Sequence, residues 1–363
     1  MKILYAIQGT GNGHLARATE IIPHLRKLGE VDILVSGIQG DIKLPFEIKY
    51  KFYGLSFMFG KKGGINFWQT LLKARPLQFI LDICNLPVTN YDLVLNDFEP
   101  VSAWACRLIG KDCTGISHQG AVLHANAPRP LKGGWFAEFI LKYYAPANRN
   151  YGFHFKALDT QIFTPVIRSA IRKAIPRHKE HYTVYLPAFS DEEIIKMLSG
   201  FRNIQWEVFS KKCSAQYSYK NIRISPVSLE GFNRSFINCK GVLCNAGFET
   251  PAEALFMGKK LCVIPMKNQY EQACNAALLA EMGVTVVHHV SELSGKLETW
   301  ISNSSVIRIP YPDQTEEILR LVVVERKTQS PDYRFTGWKI LVRSTNWLTA
   351  SIPGSSYLHQ KRL

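Results

Sequence analysis

Residues 242–275, VLCNAGFETPAEALFMGKKLCVIPMKNQYEQACN, limit what this chain can fold into more than any other stretch. A short apolar run at 242–244 reads as a strand, and Asn245, Ala246 and Gly247 supply small residues where the backbone must bend sharply. Behind them Ala252, Leu255 and Phe256 recur at helical spacing, Thr250 and Pro251 suit the first turn, and Gly258 suits the end. A second strand, a polar loop and the start of another helix follow. Strand, turn, helix and strand in this order belong to an α/β architecture in which helices cover a parallel sheet. The same turn gathers unpaired N–H groups at Gly247, Phe248, Glu249 and Thr250, where the helix dipole also favours an anion. A phosphate seat and an ordinary β–α turn both fit these residues.

The N-terminus repeats the arrangement. KILYAI at 2–7 reads as a strand, 15–28 has helical periodicity and 31–36 reads as the next strand. Between the first two lies Gln8-Gly9-Thr10-Gly11-Asn12-Gly13-His14, a loop whose glycines let a ligand approach the backbone. Its spacing, G-x-G-x-G-H, is neither the dinucleotide fingerprint nor a phosphate-binding Gly-Lys-Ser/Thr loop. YDLVLN at 91–96 is a further strand and delivers Asp97, Phe98 and Glu99, and the strand expected at 113–117 delivers His118. Ligands of open α/β sheets sit beyond the carboxyl ends of strands, so Gly11, Gly13, His14 and Asp97 are expected at one crevice, with Glu99 and His118 as further candidates. For His118 a hydrogen-bonded structural role is the preferred reading.

A chain of 363 residues is long enough for two cores. The junction is placed near the basic segment that ends at Lys179, giving domains at 1–165 and 166–350 and a disordered tail at 351–363. The second half opens with a strand at 182–186, a helix at 191–198 capped by Ser190 and a strand at 205–209; a helix is expected at 315–325.

No apolar run reaches the ~18 residues that cross a bilayer, and the first strand begins without a cleavable leader pattern, so the expected location is cytoplasmic. Eight cysteines occur without a C-x-x-C pair, which argues for buried free thiols and against a zinc site. The net charge of +15 suits nucleic acid, an anionic membrane surface or phosphorylated substrates. No zinc-finger or RRM-type motif accompanies it, so nucleic acid has only charge in its favour. The 49–75 segment interleaves Lys49, Lys51, Lys61, Lys62, Lys73 and Arg75 with aromatic residues. It is read either as a loop beside an ordinary helix or as a surface that meets lipid headgroups on the inner membrane face.

Residues 242–287, with A-G-F-x-T-x-x-E-A-L-x-x-G-K followed by P-x-x-x-Q-Y-E-Q-x-x-N-A, resemble the donor-nucleotide half of glycosyltransferases built from two Rossmann-like domains facing a cleft, the GT-B fold. The likeness is to the group containing the N-acetylglucosaminyltransferase of peptidoglycan synthesis and related UDP-sugar enzymes. Residues 9–17, G-x-G-x-G-H-x-x-R, resemble the glycine loop of the acceptor domain in these families. The resemblance implies a nucleotide-sugar donor, UDP-linked by preference, a saccharide or lipid-linked acceptor, no cofactor or metal, and a C-terminal helix that crosses back to the first domain. It also implies that Asn245 and residues 247–250 face the diphosphate together with Gly13, that Glu253 accepts the ribose hydroxyls, and that Gln269, Glu271 and Gln272 hold the sugar. His14 matches the general base of inverting relatives and Asp97 the aspartate that supports it. The sequence departs from the family pattern at Asn245 and Ala246, where relatives carry a phosphate-contacting residue and a second glycine. A nucleotide-sugar 2-epimerase, a non-catalytic sugar-nucleotide sensor and a basic nucleic-acid binder are the alternatives.

Overall fold

The computed structural model describes residues 1–37, 44–55, 75–130, 134–177 and 179–325. Its first half runs β1 (Lys2–Gln8), α1 (Asn12–Arg26), β2 (Glu30–Ser36), β3 (Tyr50–Phe52), α2 (Pro76–Asn85), β4 (Leu93–Asp97), α3 (Pro100–Ile109), β5 (Thr114–Ile116), α4 (His118–Val122), α5 (Trp135–Tyr144), β6 (Arg149–Phe153) and β7 (Ile162–Phe163). A short helix α6 (Ser169–Arg172) leads to β8 (His181–Tyr185), α7 (Asp191–Leu198), β9 (Gln205–Ser210), β10 (Tyr217–Tyr219), β11 (Ile222–Pro226), α8 (Leu229–Asn238), β12 (Gly241–Asn245), α9 (Glu249–Met257), β13 (Lys260–Ile264), α10 (Tyr270–Glu281), β14 (Thr285–Val286), α11 (Leu293–Ser302) and α12 (Thr315–Glu325).

Among the described residues these strands form two seven-stranded sheets, ordered β3-β2-β1-β4-β5-β6-β7 and β10-β11-β9-β8-β12-β13-β14. All neighbours pair in parallel except β10, which runs antiparallel to β11. Central strands of such sheets are covered on both faces and are therefore continuously apolar, as LYAI in β1 and VLC in β12 are. The order reverses at β1/β4 and at β8/β12, and the crevice beyond the carboxyl end of a reversal is where an α/β sheet admits a ligand. Register sets Ile7 of β1 beside Asp97 of β4, and Tyr185 of β8 beside Cys244 of β12, so the last residues of these strands open at the two crevices.

Helix ends follow local chemistry. Ser190 and Glu193 form a capping box on α7, and Gly258 closes α9 in the left-handed conformation at φ 64°. One apolar cluster joins the halves, from Ile7 and Leu25 through Phe153 and Phe155 to Phe248 and Leu255, and two others fill the outer face of each sheet. Among the described residues the chain crosses between halves twice. At the first crossing Ser169 donates from its N–H and hydroxyl to Glu20 of α1 at 2.8 and 2.6 Å. At the second, residues 303–314 lead to α12, which packs on α1, with Lys27 on Glu316 at 2.8 Å and Arg149 on the Glu325 carbonyl at 2.6 Å. Arg172 ties the crossings together by donating to the Tyr311 carbonyl at 2.9 Å.

Strand β6 and helix α11 arise where the sequence shows little periodicity, at 123–151 and after 287. His118 opens α4 instead of trailing a strand, because Ser117 caps that helix. Residues 56–74 of the basic aromatic segment and the 351–363 tail lie outside the described residues. Within the segment, Lys49 is spent on Asp32 at 2.6 Å.

Candidate active site

The two crevices meet in a cleft of about 950 Å3. Its first wall begins where β1 ends. Gly11 precedes α1 at φ 93°, a conformation that a Cβ disfavours, and the bend aims the first turn of α1 across the cleft. The walls come close enough that a Cβ on Gly13 would stand 3.3 Å from Cγ of Glu249. His14, one residue on, lines the cleft. Its Nδ1 is 2.8 Å from Oδ1 of Asp97, which lies fully buried behind it at the end of β4. The neighbouring Phe98 takes φ 58°, a turn that a non-glycine residue adopts at a cost of roughly 1–2 kcal/mol and that carries the chain away from Asp97 into α3. Tyr5 donates to Asp97 Oδ2 at 3.4 Å. Burial pushes the Asp97 carboxyl up, but Arg17 and then His14 outweigh burial and hold it below its ordinary value. An ionised Asp97 accepts the Nδ1 proton, which fixes the tautomer with the lone pair on Nε2; Gln119 Nε2 faces that nitrogen at 3.4 Å.

The second wall is the end of β12 and the start of α9. Asn245 donates to the Ile264 carbonyl at 2.8 Å, while its Oδ1 has no partner among the described residues. Ala246 keeps a negative φ, so the departure from glycine is accommodated without strain. A Cβ on Gly247 would meet nothing within 4 Å, which marks open space before the helix start. Phe248, Glu249 and Thr250 follow in the cleft. Glu253, one turn along and buried, receives two bonds of 2.6 Å from Arg168 of the first crossing. At the next loop Gln269 caps α10 by accepting from Gln272 N at 2.8 Å, and Gln272 accepts from Met266 N at 2.9 Å. Both carbonyl oxygens are thus used, and each amide NH2 stays available as a donor. Glu271 takes a 2.9 Å bond from Gln119 of the first wall. Burial raises its carboxyl despite His14 and Gln119.

A crevice between two Rossmann-like sheets, with a histidine–aspartate pair on one wall and a helix start on the other, fits one family in particular. The model of "Glycosyl transferase family 1" matches residues 1–303. The chain belongs to glycosyl transferase family 1. Among solved structures it is similar to the glycosyltransferase SnogD from Streptomyces nogalater, with a TM-score of 0.51 at 12% identity over 96% of this chain and 99% of that one. The spinosyn forosaminyltransferase SpnP gives 0.51 at 12% identity over 96% and 99%, and the glycotransferase of kitacinnamycin 0.52 at 12% over 97% and 99%. These likenesses establish the GT-B fold. No curated protein is matched by the sequence.

In this glycosyltransferase Gly11, Gly13, His14, His118, Asn245, Gly247, Phe248, Glu249, Thr250, Glu253, Gln269, Glu271 and Gln272 all line the one cleft. Glu99 does not. Its carboxylate is fully buried and spent on Ser36 Oγ and on the N–H groups of Val101 and Ser102, where it caps α3, so it is corrected from an acceptor-side candidate to a structural cap. His118 joins the walls: Nε2 lies 2.7 Å from Asn275 Oδ1, Nδ1 2.8 Å from the Phe153 carbonyl, and the ring stacks on Phe248 with centroids 4.0 Å apart. Burial depresses it to about 4.

Two arginines escaped the sequence reading. Arg17 sits in G-x-G-x-G-H-x-x-R three residues past His14, on the same helix face, which was the available signal. Arg168 had none, since its partner is 85 residues away. Among the described residues no group of three or more His, Cys, Asp or Glu converges as a metal site would require, and no helix is long and apolar enough to cross a membrane.

Proposed function

We propose that the enzyme transfers a sugar from a nucleoside diphosphate to an acceptor hydroxyl, with inversion at the anomeric carbon. The observation that carries this reading is the His14–Asp97 pair facing the start of α9 across the cleft. His14 Nε2 takes the acceptor O–H proton as that oxygen attacks the anomeric carbon. The bond from that carbon to the diphosphate oxygen breaks, and its electron pair leaves on the diphosphate. The charge so formed is met by the N–H groups of residues 247–250 and by the helix dipole. Asp97 holds the ring and stabilises the imidazolium. Glu253, its carboxylate oriented by Arg168, keeps lone pairs for the ribose hydroxyls, and Gln269, Glu271 and Gln272 line the sugar's side. UDP is the favoured carrier, on the sequence resemblance to UDP-sugar enzymes, and a saccharide or lipid-linked acceptor binds on the His118 and Gln119 side.

A thermal-shift panel of UDP, GDP, ADP and TDP with their sugars tests the donor half. A ligand that binds only the folded state at 100 times its Kd adds about 2.7 kcal/mol, so the preferred carrier is expected to raise Tm by several degrees. His14→Ala is expected to lower transfer by about 10²–10⁴-fold. A panel without any shift, or His14→Ala within a few-fold of wild type, refutes the reading.

A further inference from the structure

Arg17 joins the two walls of the cleft, and the proposed chemistry leaves it without a role. Its guanidinium is buried. Nη2 donates to Asp97 Oδ1 at 2.6 Å and lies 3.1 Å from His14 Nδ1, while Nη1 donates to Glu249 Oε1 on the facing helix. Nε has no partner among the described residues, so the bonding of this cation is directed through two nitrogens to two carboxylates, one from each half.

His14 and Arg17 therefore share one oxygen of Asp97. The more of that carboxylate's charge the guanidinium holds, the less is left for a proton on His14. Glu249 acts in the opposite sense: by accepting from Nη1 it draws the guanidinium toward the second wall and returns Asp97 to His14, and although burial, opposed by Arg17, raises its carboxyl to about 7, its ionised form adds a negative field at neutral pH and above. The other charged or titratable groups here are Tyr5 on Asp97 from β1, Glu271 from α10 and His118 from α4 on the side of His14, and Glu253 one turn beyond Glu249. None of these bonds to Asp97 and to a carboxylate of the second wall together, as Arg17 does.

We infer that Arg17 is a positioning residue that ties the competence of His14 as a base to Glu249 of the facing helix, so that the base is fully poised only when the two halves of the cleft are together. This rests on the transfer reading. Its consequence is selectivity against water: with the halves apart, His14 loses the support of Glu249 while Arg17 keeps its hold on Asp97.

The test is a pH titration of the His14 ring by 1H–13C NMR on the full, unliganded chain, the resonance assigned by its loss in His14→Ala. Glu249→Gln removes the charge but keeps an oxygen for Arg17, and is expected to move the His14 midpoint down by about half a pH unit, a roughly threefold loss of proton affinity. Arg17→Gln is expected to move it up by a similar amount. Opposite shifts are the signature of coupling through charge, because loosened packing would act on both variants in the same sense. Same-direction shifts, or a change below about 0.2 unit in folded Glu249→Gln, overturn the inference. Should Arg17→Gln not fold, Glu249→Gln decides alone. No nucleotide enters this measurement, so a chain that binds no nucleoside diphosphate would sink the transfer reading and leave the coupling to stand or fall separately.

Discussion

Replacing His154 by Phe is expected to make the protein more resistant to acid. The His154 ring is completely buried next to Phe155 and His118, at centroid distances of 5.6 and 5.2 Å, and neither ring nitrogen has a partner among the described residues. Burial, with a smaller contribution from His118, depresses its pKa from 6.5 to about 3. Above pH 6.5 the ring is neutral in both states. Below it the unfolded chain takes up a proton that the folded chain refuses, so stability falls with pH by about 1.4 kcal/mol per unit, and the contribution is fully lost near pH 3. The whole effect is about 5 kcal/mol, of which roughly 2 kcal/mol is lost between pH 6.5 and 4.5. Phe has a similar shape and no proton to bind, so His154→Phe removes this slope; it also removes two unsatisfied nitrogens, worth ~1 kcal/mol or more at pH 7. Urea unfolding at pH 7.0, 5.5 and 4.5 measures both quantities. If wild type and His154→Phe lose stability in parallel over that range, the buried neutral histidine is not what makes the fold acid-labile.

Lys259 ends, fully buried, on the carbonyls of Arg177, Ile237 and Cys239 at 2.8, 2.8 and 2.7 Å. Lys259→Met keeps the length and strands three acceptors, so urea melts are expected to show a loss of about 2–4 kcal/mol; a loss below ~1 kcal/mol would mean the carbonyls find other donors. Gly258→Ala puts a Cβ at φ 64° beside the flexible Arg308 side chain, and a Tm drop corresponding to ~1 kcal/mol is expected, with no drop showing that the α9 terminus can rearrange.

The α/β alternation, both glycine loops and the caps of α7 and α9 were legible because each is set by residues within a few positions of one another. The His14–Asp97 contact followed from a topological rule, since Asp97 ends β4 and His14 lies in the first turn of the helix after the neighbouring β1, both at a reversal of the strand order. Glu99 misled because it follows Asp97 beyond the carboxyl end of a strand, where ligands sit, whereas a carboxylate just before Pro100 is well placed to cap a helix. The pairs Arg17–Glu249 and Arg168–Glu253 span 232 and 85 residues. Ion pairing at such distances leaves no periodic mark and becomes visible only when the halves are docked. Strand β6 was hidden for a local reason: RNYGF alternates poorly and gets its place from pairing with β5.

The two crossings between the halves have a mechanical meaning. A body joined to another by one flexible link can swing and twist in any direction, whereas one joined at two points can turn only about the line through them. Here the links are bonded to each other through Arg172 and Tyr311, and the second is anchored on α1 through Glu316. Any opening is thereby reduced to rotation about a single axis, along which neighbouring points move least. The Arg168–Glu253 pair, built on the first link, travels little, while groups farther from the axis part most. Cutting the chain before Thr315 would remove one bearing and release the remaining degrees of freedom.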